Sequence, residues 1–277
     1  MLKLRILSAI FGVPLLLFIV WTGGWLLVAG VVVLAGLGWK EFIGLIENVG
    51  LRARGGLGWL VLLFPIVAYL DCSGFIPGGF SYLPVGILLA TAFGFIISYP
   101  ERKLADVAVT LWGILYLGML FSFWVLVREL NQGCFWIVLA LILTWASDTG
   151  AYFIGRNWGK RKPWPRLSPG KTLEGALGGL FFCIVTSLAL TSTSGFFRWG
   201  GPDLGLTGSI VLGLVVSAMA QAGDLVESGL KRSAGVKDSG CLIPGHGGIL
   251  DRFDSLLFVM PTVYFFVQIY AKYEFFQ

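Results

Sequence analysis

Charge is scarce in this chain: Asp, Glu, Lys and Arg make up 13% of 277 residues, where about a quarter is usual in a soluble domain. Histidine occurs once, at His246, which leaves a zinc centre without partners. The four cysteines, at 72, 134, 183 and 241, show no CxxC spacing, so neither a zinc ribbon nor a redox motif is indicated. The short alternating apolar segments of a membrane β-barrel are also missing. No long linker, low-complexity tract or internal repeat interrupts the chain. That continuity argues for one integrated domain over 1–277, with N-terminal helices in 1–134 and a C-terminal set of helices and loops in 135–277.

What is present is apolar: 57% hydrophobic residues and a mean hydropathy of +0.85. Apolar runs long enough to cross roughly 30 Å of hydrocarbon recur almost end to end. The fold class is therefore all-α, a polytopic integral membrane bundle of about nine helices. The spans read as 5–22, 24–40, 57–71, 82–98, 105–127, 135–155, 172–194, 207–228 and 253–272. Lys3 and Arg5 ahead of the first run imitate a signal peptide, but no clean small-residue cleavage site follows, so the run reads as a retained helix.

With the N-terminus in the cytoplasm, 17 of the 20 Lys and Arg fall on the inner side, leaving Arg128, Arg198 and Lys272 outside. The expected location is the inner (plasma) membrane, with the chemistry on its cytoplasmic face. The net charge of +5, gathered there, suits anionic headgroups or nucleotide phosphates, and no nucleic-acid partner is indicated. Cys72 and Cys134 both fall near the outer face, where a disulfide is allowed.

Three polar constellations stand out. In the first, SDTGAYFIGRNWGKRKPWPRLSPGKTLEG, Asp148 lies inside an apolar run, where a carboxylate needs protein, water or a cation beside it. An interhelical hydrogen bond is the plainer account. Pro163, Pro165 and Pro169 then force a basic loop. SPGKT, Ser168 to Thr172, lacks the first glycine of a P-loop and has no strand before it, so a Walker fold is rejected. A helix start with Lys171 still favours an anion, and Glu174 either caps or binds. Gly175 and Gly179 are spaced for close helix packing.

The second constellation is Asp224, Glu227 and Ser228 on one helix face, which calls for a cation or for salt bridges to Lys231 and Arg232. The third, KDSGCLIPGHGGILDRFDS, is a glycine-rich turn whose amides suit phosphate oxygens, followed by Asp251 and Asp254. His246 either bonds phosphate or holds the turn. Hard oxygen ligands of this kind suit Mg²⁺. Metal, lysines and glycine turns together suit phosphoryl or nucleotidyl transfer.

The segment SGLKRSAGVKDSGCLIPGHGGILDRFD, Ser228 to Asp254, resembles the signature of the CDP-diacylglycerol synthases, also called phosphatidate cytidylyltransferases. The upstream SDTGAYFIGR and SPGKTLEG segments are similar to segments of that family. The resemblance implies CTP and phosphatidic acid as substrates, a membrane setting, and a Mg²⁺ requirement, with K⁺ as a second candidate cation. It implies metal contacts at Asp224 and Asp251, with Asp254 close by and Glu227 assisting. The expected catalytic set is Asp224, Lys231, Arg232, Lys237, Asp238, His246, Asp251, Arg252 and Asp254. Substrate contacts are expected from Asp148, Ser168, Lys171, Thr172, Glu174, Ser228, Gly247 and Gly248, and a homodimer is allowed. A CTP-dependent polyprenol kinase would use similar materials but release CDP. A CDP-alcohol phosphotransferase lacks its DGxxAR-type motif here, and a transporter would not gather Asp, Lys and Gly on one side.

Overall fold

A backbone in hydrocarbon must satisfy its own N–H and C=O groups, and helices do so within a single segment. The computed structural model describes residues 2–53, 55–192, 201–242 and 247–273, and no β-strand occurs among them. Eleven α-helices follow one another: α1 Leu2–Thr22, α2 Gly24–Asn48, α3 Gly55–Gly58, α4 Leu63–Cys72, α5 Gly79–Ser98, α6 Leu104–Ile114, α7 Leu120–Arg128, α8 Gly133–Trp158, α9 Leu173–Thr191, α10 Gly205–Ser233 and α11 Leu250–Tyr273. Among the described residues seven continuous helical stretches are long and apolar enough to span a bilayer, α6 and α7 counting as one through a π-turn at Leu115–Met119. Shorter apolar helices cover Ile10–Thr22 and Gly56–Cys72. The protein is a polytopic helical membrane bundle.

Two compact units make up the chain, Met1–Asn131 with Leu230–Phe253, and Gln132–Gly229 with Asp254–Gln277. In the first, Trp39, Phe42, Phe64, Phe121 and Trp124 are fully buried and form an aromatic core. The expected span 57–71 is broken there by a 3₁₀ turn at Trp59–Leu62. Gly58, just before it, lies against the Trp39 ring, leaving no room for a side chain. Polar ends are tied down locally. The Asp106 carboxylate accepts from the amides of Arg52 at 2.8 Å and Lys103 at 3.1 Å. Arg128, one of the few cations left outside by the charge pattern, donates to the carbonyls of Val20 and Trp21, closing the end of α1. All four cysteines are free thiols, Cys72 and Cys134 included.

In the second unit α8 and α9 form the most extensive pairing. Glycines allow it: a Cβ at Gly150 would lie 2.8 Å from the Gly178 carbonyl oxygen, and one at Gly179 would lie 2.7 Å from that of Ser147. Such backbone approach is how helices gain packing energy where lipid removes the hydrophobic drive. Further along, Gly213 abuts Ile184 of α9, and Ser147 of α8 shares a 2.8 Å hydrogen bond with Ser217 of α10. Gly179→Leu is therefore expected to cost about 1–3 kcal/mol of stability through overpacking. Thermal unfolding in detergent checks this, with Gly86→Ala, which meets nothing within 4 Å, expected to leave the transition unchanged or slightly raised.

Candidate active site

Pro163, Pro165 and Pro169 keep the segment between α8 and α9 out of a helix, and it folds back on hydrogen bonds of its own. Ser168 N–H donates to the Trp164 carbonyl at 2.9 Å and Lys171 N–H to the Ser168 carbonyl at 3.2 Å. Thr172 is the N-cap of α9, its hydroxyl accepting from the Gly175 amide at 3.1 Å. Glu174 reaches back to the amides of Lys160 at 2.9 Å and Arg161 at 3.1 Å. Of the two fates open to Glu174, the structure shows it latching the loop.

This folding places Lys171 over α10, where its ammonium meets Asp224 Oδ2 at 2.8 Å. Asp224 Oδ1 accepts a weaker 3.3 Å bond from Ser228 one turn on. The pair lines a cavity of about 420 Å³ in the second unit, with Asp148, Tyr152 and Arg156 of α8, Trp164 of the loop and Gln221 of α10 also on its wall. Asp148 is exposed there, and the Arg156 guanidinium donates to the Tyr152 hydroxyl at 2.8 Å. Gln221 is oriented by donating its amide to the Ala176 carbonyl at 3.1 Å and the Ser217 hydroxyl at 3.1 Å. Two carboxylates, two cations and an aromatic wall around one hollow suit a phosphorylated ligand with a cation. Glu227, one turn from Asp224, is fully buried, so the two acids meet different surroundings.

Lys231, Ser239, Gly248 and Asp251 of the signature segment form a second cluster, in the first unit. Asp251, in the first turn of α11, accepts from Lys231 Nζ at 2.7 Å through Oδ1. Its Oδ2 accepts from the Ser239 amide at 2.9 Å, the Ser239 hydroxyl at 2.9 Å and the Gly248 amide at 2.8 Å. Gly247 takes the left-handed conformation, φ 83°, and a Cβ there would lie 2.6 Å from Asp251 Oδ2. The amides expected to cradle phosphate are thus bonded to carboxylates of the chain itself. The unpaired N–H groups at the start of α11 attract the nearest anions available.

Lysines Lys231 and Lys171 each hold one acid of the expected site, Asp251 and Asp224. Lys237, Asp238, Arg232 and Arg252 are exposed, with Arg232 donating to the Val236 carbonyl at 3.3 Å. Asp254 is half-buried and accepts from the Ser255 amide at 2.6 Å. His246 lies outside the described residues, as do Pro244 and Gly245 of the turn. Among the described residues no group of three or more His, Cys, Asp or Glu is gathered for a metal.

Sequence reading missed Glu41 of α2, whose carboxylate accepts from the amides of Ile249 at 2.8 Å and Leu250 at 3.0 Å and from the Ser239 hydroxyl at 3.0 Å. Glu41 lies one residue past the apolar run read as 24–40, beside Lys40 and inside the longer helix α2, so it read as part of a polar helix end. Gln221, by contrast, was legible as a polar residue one turn before Asp224 in an apolar helix.

A sequence model described as the cytidylyltransferase family matches residues 3–270. The phosphatidate cytidylyltransferase of Staphylococcus aureus (strain COL) is 37% identical over 271 residues, covering 94% of this chain and 97% of that protein. That of Bacillus subtilis (strain 168) is 34% identical over 273 residues, covering 97% and 98%. That of Staphylococcus saprophyticus subsp. saprophyticus is 35% identical over 269 residues, covering 94% and 97%.

Proposed function

The chain belongs to the cytidylyltransferase family, and from that premise we propose that it transfers CMP from CTP to phosphatidate, giving CDP-diacylglycerol and pyrophosphate. The observation that carries the reading onto particular residues is the Lys171–Asp224 pair in the wall of a cavity of about 420 Å³. A phosphate oxygen of phosphatidate forms the new bond to the α-phosphorus of CTP. The bond from that phosphorus to the bridging oxygen breaks, and the electron pair leaves with pyrophosphate. The nucleophile is already anionic, so no strong base is required.

What the chain must supply is charge in fixed places. Lys171 and Arg156, on the cavity wall, neutralise phosphate oxygens, and Trp164 and Tyr152 offer flat apolar surface to a base. Lys231, Arg232, Lys237 and Arg252 are the cations of the signature segment assigned to phosphates. Asp148 and Asp224 share one cavity wall, and a pair of carboxylates there suits Mg²⁺, which ordinarily takes one or two carboxylates with phosphate oxygens and water. When bound, the metal supplies positive charge to the reacting phosphates. Asp224, Glu227, Asp251 and Asp254 are each assigned to it for test, with K⁺ as an alternative or companion.

Nine spans, a cytoplasmic N-terminus and a cytoplasmic active site in the inner membrane complete the reading, supported by 17 of 20 basic residues falling on one side. A homodimer is the oligomer proposed. Purified protein given phosphatidate and CTP labelled at the α-phosphate is expected to yield labelled lipid and pyrophosphate in equal amounts, and only with Mg²⁺. Unlabelled lipid phosphate with free CDP would instead identify a lipid kinase.

A further inference from the structure

We infer that Glu41, on α2, is a positioning residue for the signature segment: its carboxylate fixes the start of α11 and so the direction in which Asp251 is presented. The inference rests on the assignment of Asp251 to the active site. The geometry is specific. Glu41 uses both oxygens, Oε1 for the Ile249 amide and Oε2 for the Leu250 amide and Ser239 hydroxyl, all at 2.8–3.0 Å. Its partners lie on both sides of the glycine-rich turn, so one side chain from about 200 residues earlier closes that turn.

Asp251 uses the neighbouring donors, the amides of Ser239 and Gly248. The single hydroxyl of Ser239 stands 3.0 Å from Glu41 Oε2 and 2.9 Å from Asp251 Oδ2, and its one proton serves one carboxylate at a time. The two acids therefore take up the amides of Ser239, Gly248, Ile249 and Leu250 at the described ends of the turn and share one hydroxyl.

Glu41 also accounts for two glycines of the signature. A Cβ at Gly240 would lie 2.8 Å from Glu41 Oε1, and one at Gly248 would meet the Glu41 carboxylate and the Ser239 hydroxyl still more closely. The described ends of the turn, at Gly240 and Gly248, are fitted to this carboxylate. A Gln at 41 has one acceptor oxygen, and its NH₂ would face a backbone N–H or the hydroxyl. In the place Glu41 occupies, that NH₂ stands where one of the two oxygens accepts from the Ile249 or the Leu250 N–H, so one of the two amides loses its present acceptor. An Asp keeps both oxygens but draws them back by one methylene.

The test compares Glu41→Gln, Glu41→Asp, Ser239→Ala, the double variant Glu41→Gln/Ser239→Ala, and Asp251→Asn, by steady-state kinetics and peptide-level hydrogen exchange on the full chain in detergent. Glu41→Gln is expected to lower kcat tenfold or more with the KM for phosphatidate within twofold, and to speed exchange in the peptide over 247–253 while the α8 and α9 peptides keep their protection. Glu41→Asp recovers part of the loss, and the double variant is no slower than Glu41→Gln, because both changes act on one turn. Should Glu41→Gln fail to accumulate, Glu41→Asp carries the same expectation at smaller size.

The inference is overturned if Glu41→Gln keeps kcat within twofold while Asp251→Asn is inactive, or if exchange rises equally throughout the protein. If Asp251→Asn is itself fully active, the placement of the signature segment in the active site fails, and this inference with it.

Discussion

Asp224→Asn is expected to reduce CDP-diacylglycerol formation by roughly a thousandfold or more while the protein remains folded in the membrane. Asn matches Asp in size and still offers an oxygen to the Ser228 hydroxyl, which now bonds Oδ1 at 3.3 Å. What it removes is the charge opposite Lys171. That pair is partly open to solvent, with side-chain exposures of 25% and 37%, so its contribution to stability is about 1 kcal/mol or less. A thousandfold loss corresponds to about 4 kcal/mol of transition-state stabilisation. The activity term thus exceeds the folding term several-fold, and the variant separates them. The swapped pair, Lys171→Asp with Asp224→Lys, restores the attraction without the arrangement and should stay inactive. Labelled lipid product measures activity, and elution as a single detergent-solubilised species measures folding. Near-normal turnover in Asp224→Asn would sink the assignment.

Most of the architecture was legible because apolar runs force helices, and every expected span has a helix over most of its length. What escaped was set by packing between segments distant in sequence. The break in the span at 57–71 follows from Gly58 fitting the Trp39 ring. The π-turn at Leu115–Met119 places Gly118 against Phe64 and the Val61 carbonyl, a contact no local period announces.

Among the candidate residues, Asp148, Lys171, Asp224, Lys231 and Asp251 were recognisable because charge inside or beside an apolar run needs a cause. Their partners were not. Lys231 and Arg232 stood about two turns from Asp224 on the same helix and were the obvious salt-bridge candidates, yet Lys231 bonds Asp251 and Asp224 is met by Lys171 from another helix's start. Glu41 was overlooked for a related reason. Its donors are backbone amides, which every sequence contains and none advertises.

Pairing Asp224 and Asp251 each with an ammonium holds the two carboxylates in place. On the proposed reading, Lys171 of the cavity wall would exchange part of its contact with Asp224 for an incoming phosphate.

Asp251→Ala is the second large effect, and unlike Asp224→Asn it should combine lost activity with a loosened segment. Two backbone amides, of Ser239 and Gly248, lose their acceptor at once, Lys231 loses its 2.7 Å bond, and the Ser239 hydroxyl is left to Glu41 alone. A buried donor left unsatisfied costs about 1–3 kcal/mol, and the Asp251 side chain is only 7% exposed, so water replaces it incompletely. Glu41 continues to hold Ile249 and Leu250, which keeps the start of α11 in place but not the chain before it. Trypsin should therefore cut after the exposed Lys237 markedly faster than in the unaltered protein, while sites in the loop between α8 and α9 keep their rate. Turnover should fall roughly a thousandfold. Asp251→Asn, which keeps one oxygen for the amides but sets an NH₂ against another donor, should be as inactive with a smaller gain in cleavage. Activity within twofold of the unaltered protein in Asp251→Ala, with cleavage after Lys237 unchanged, would show that neither the turn nor the reaction depends on this carboxylate.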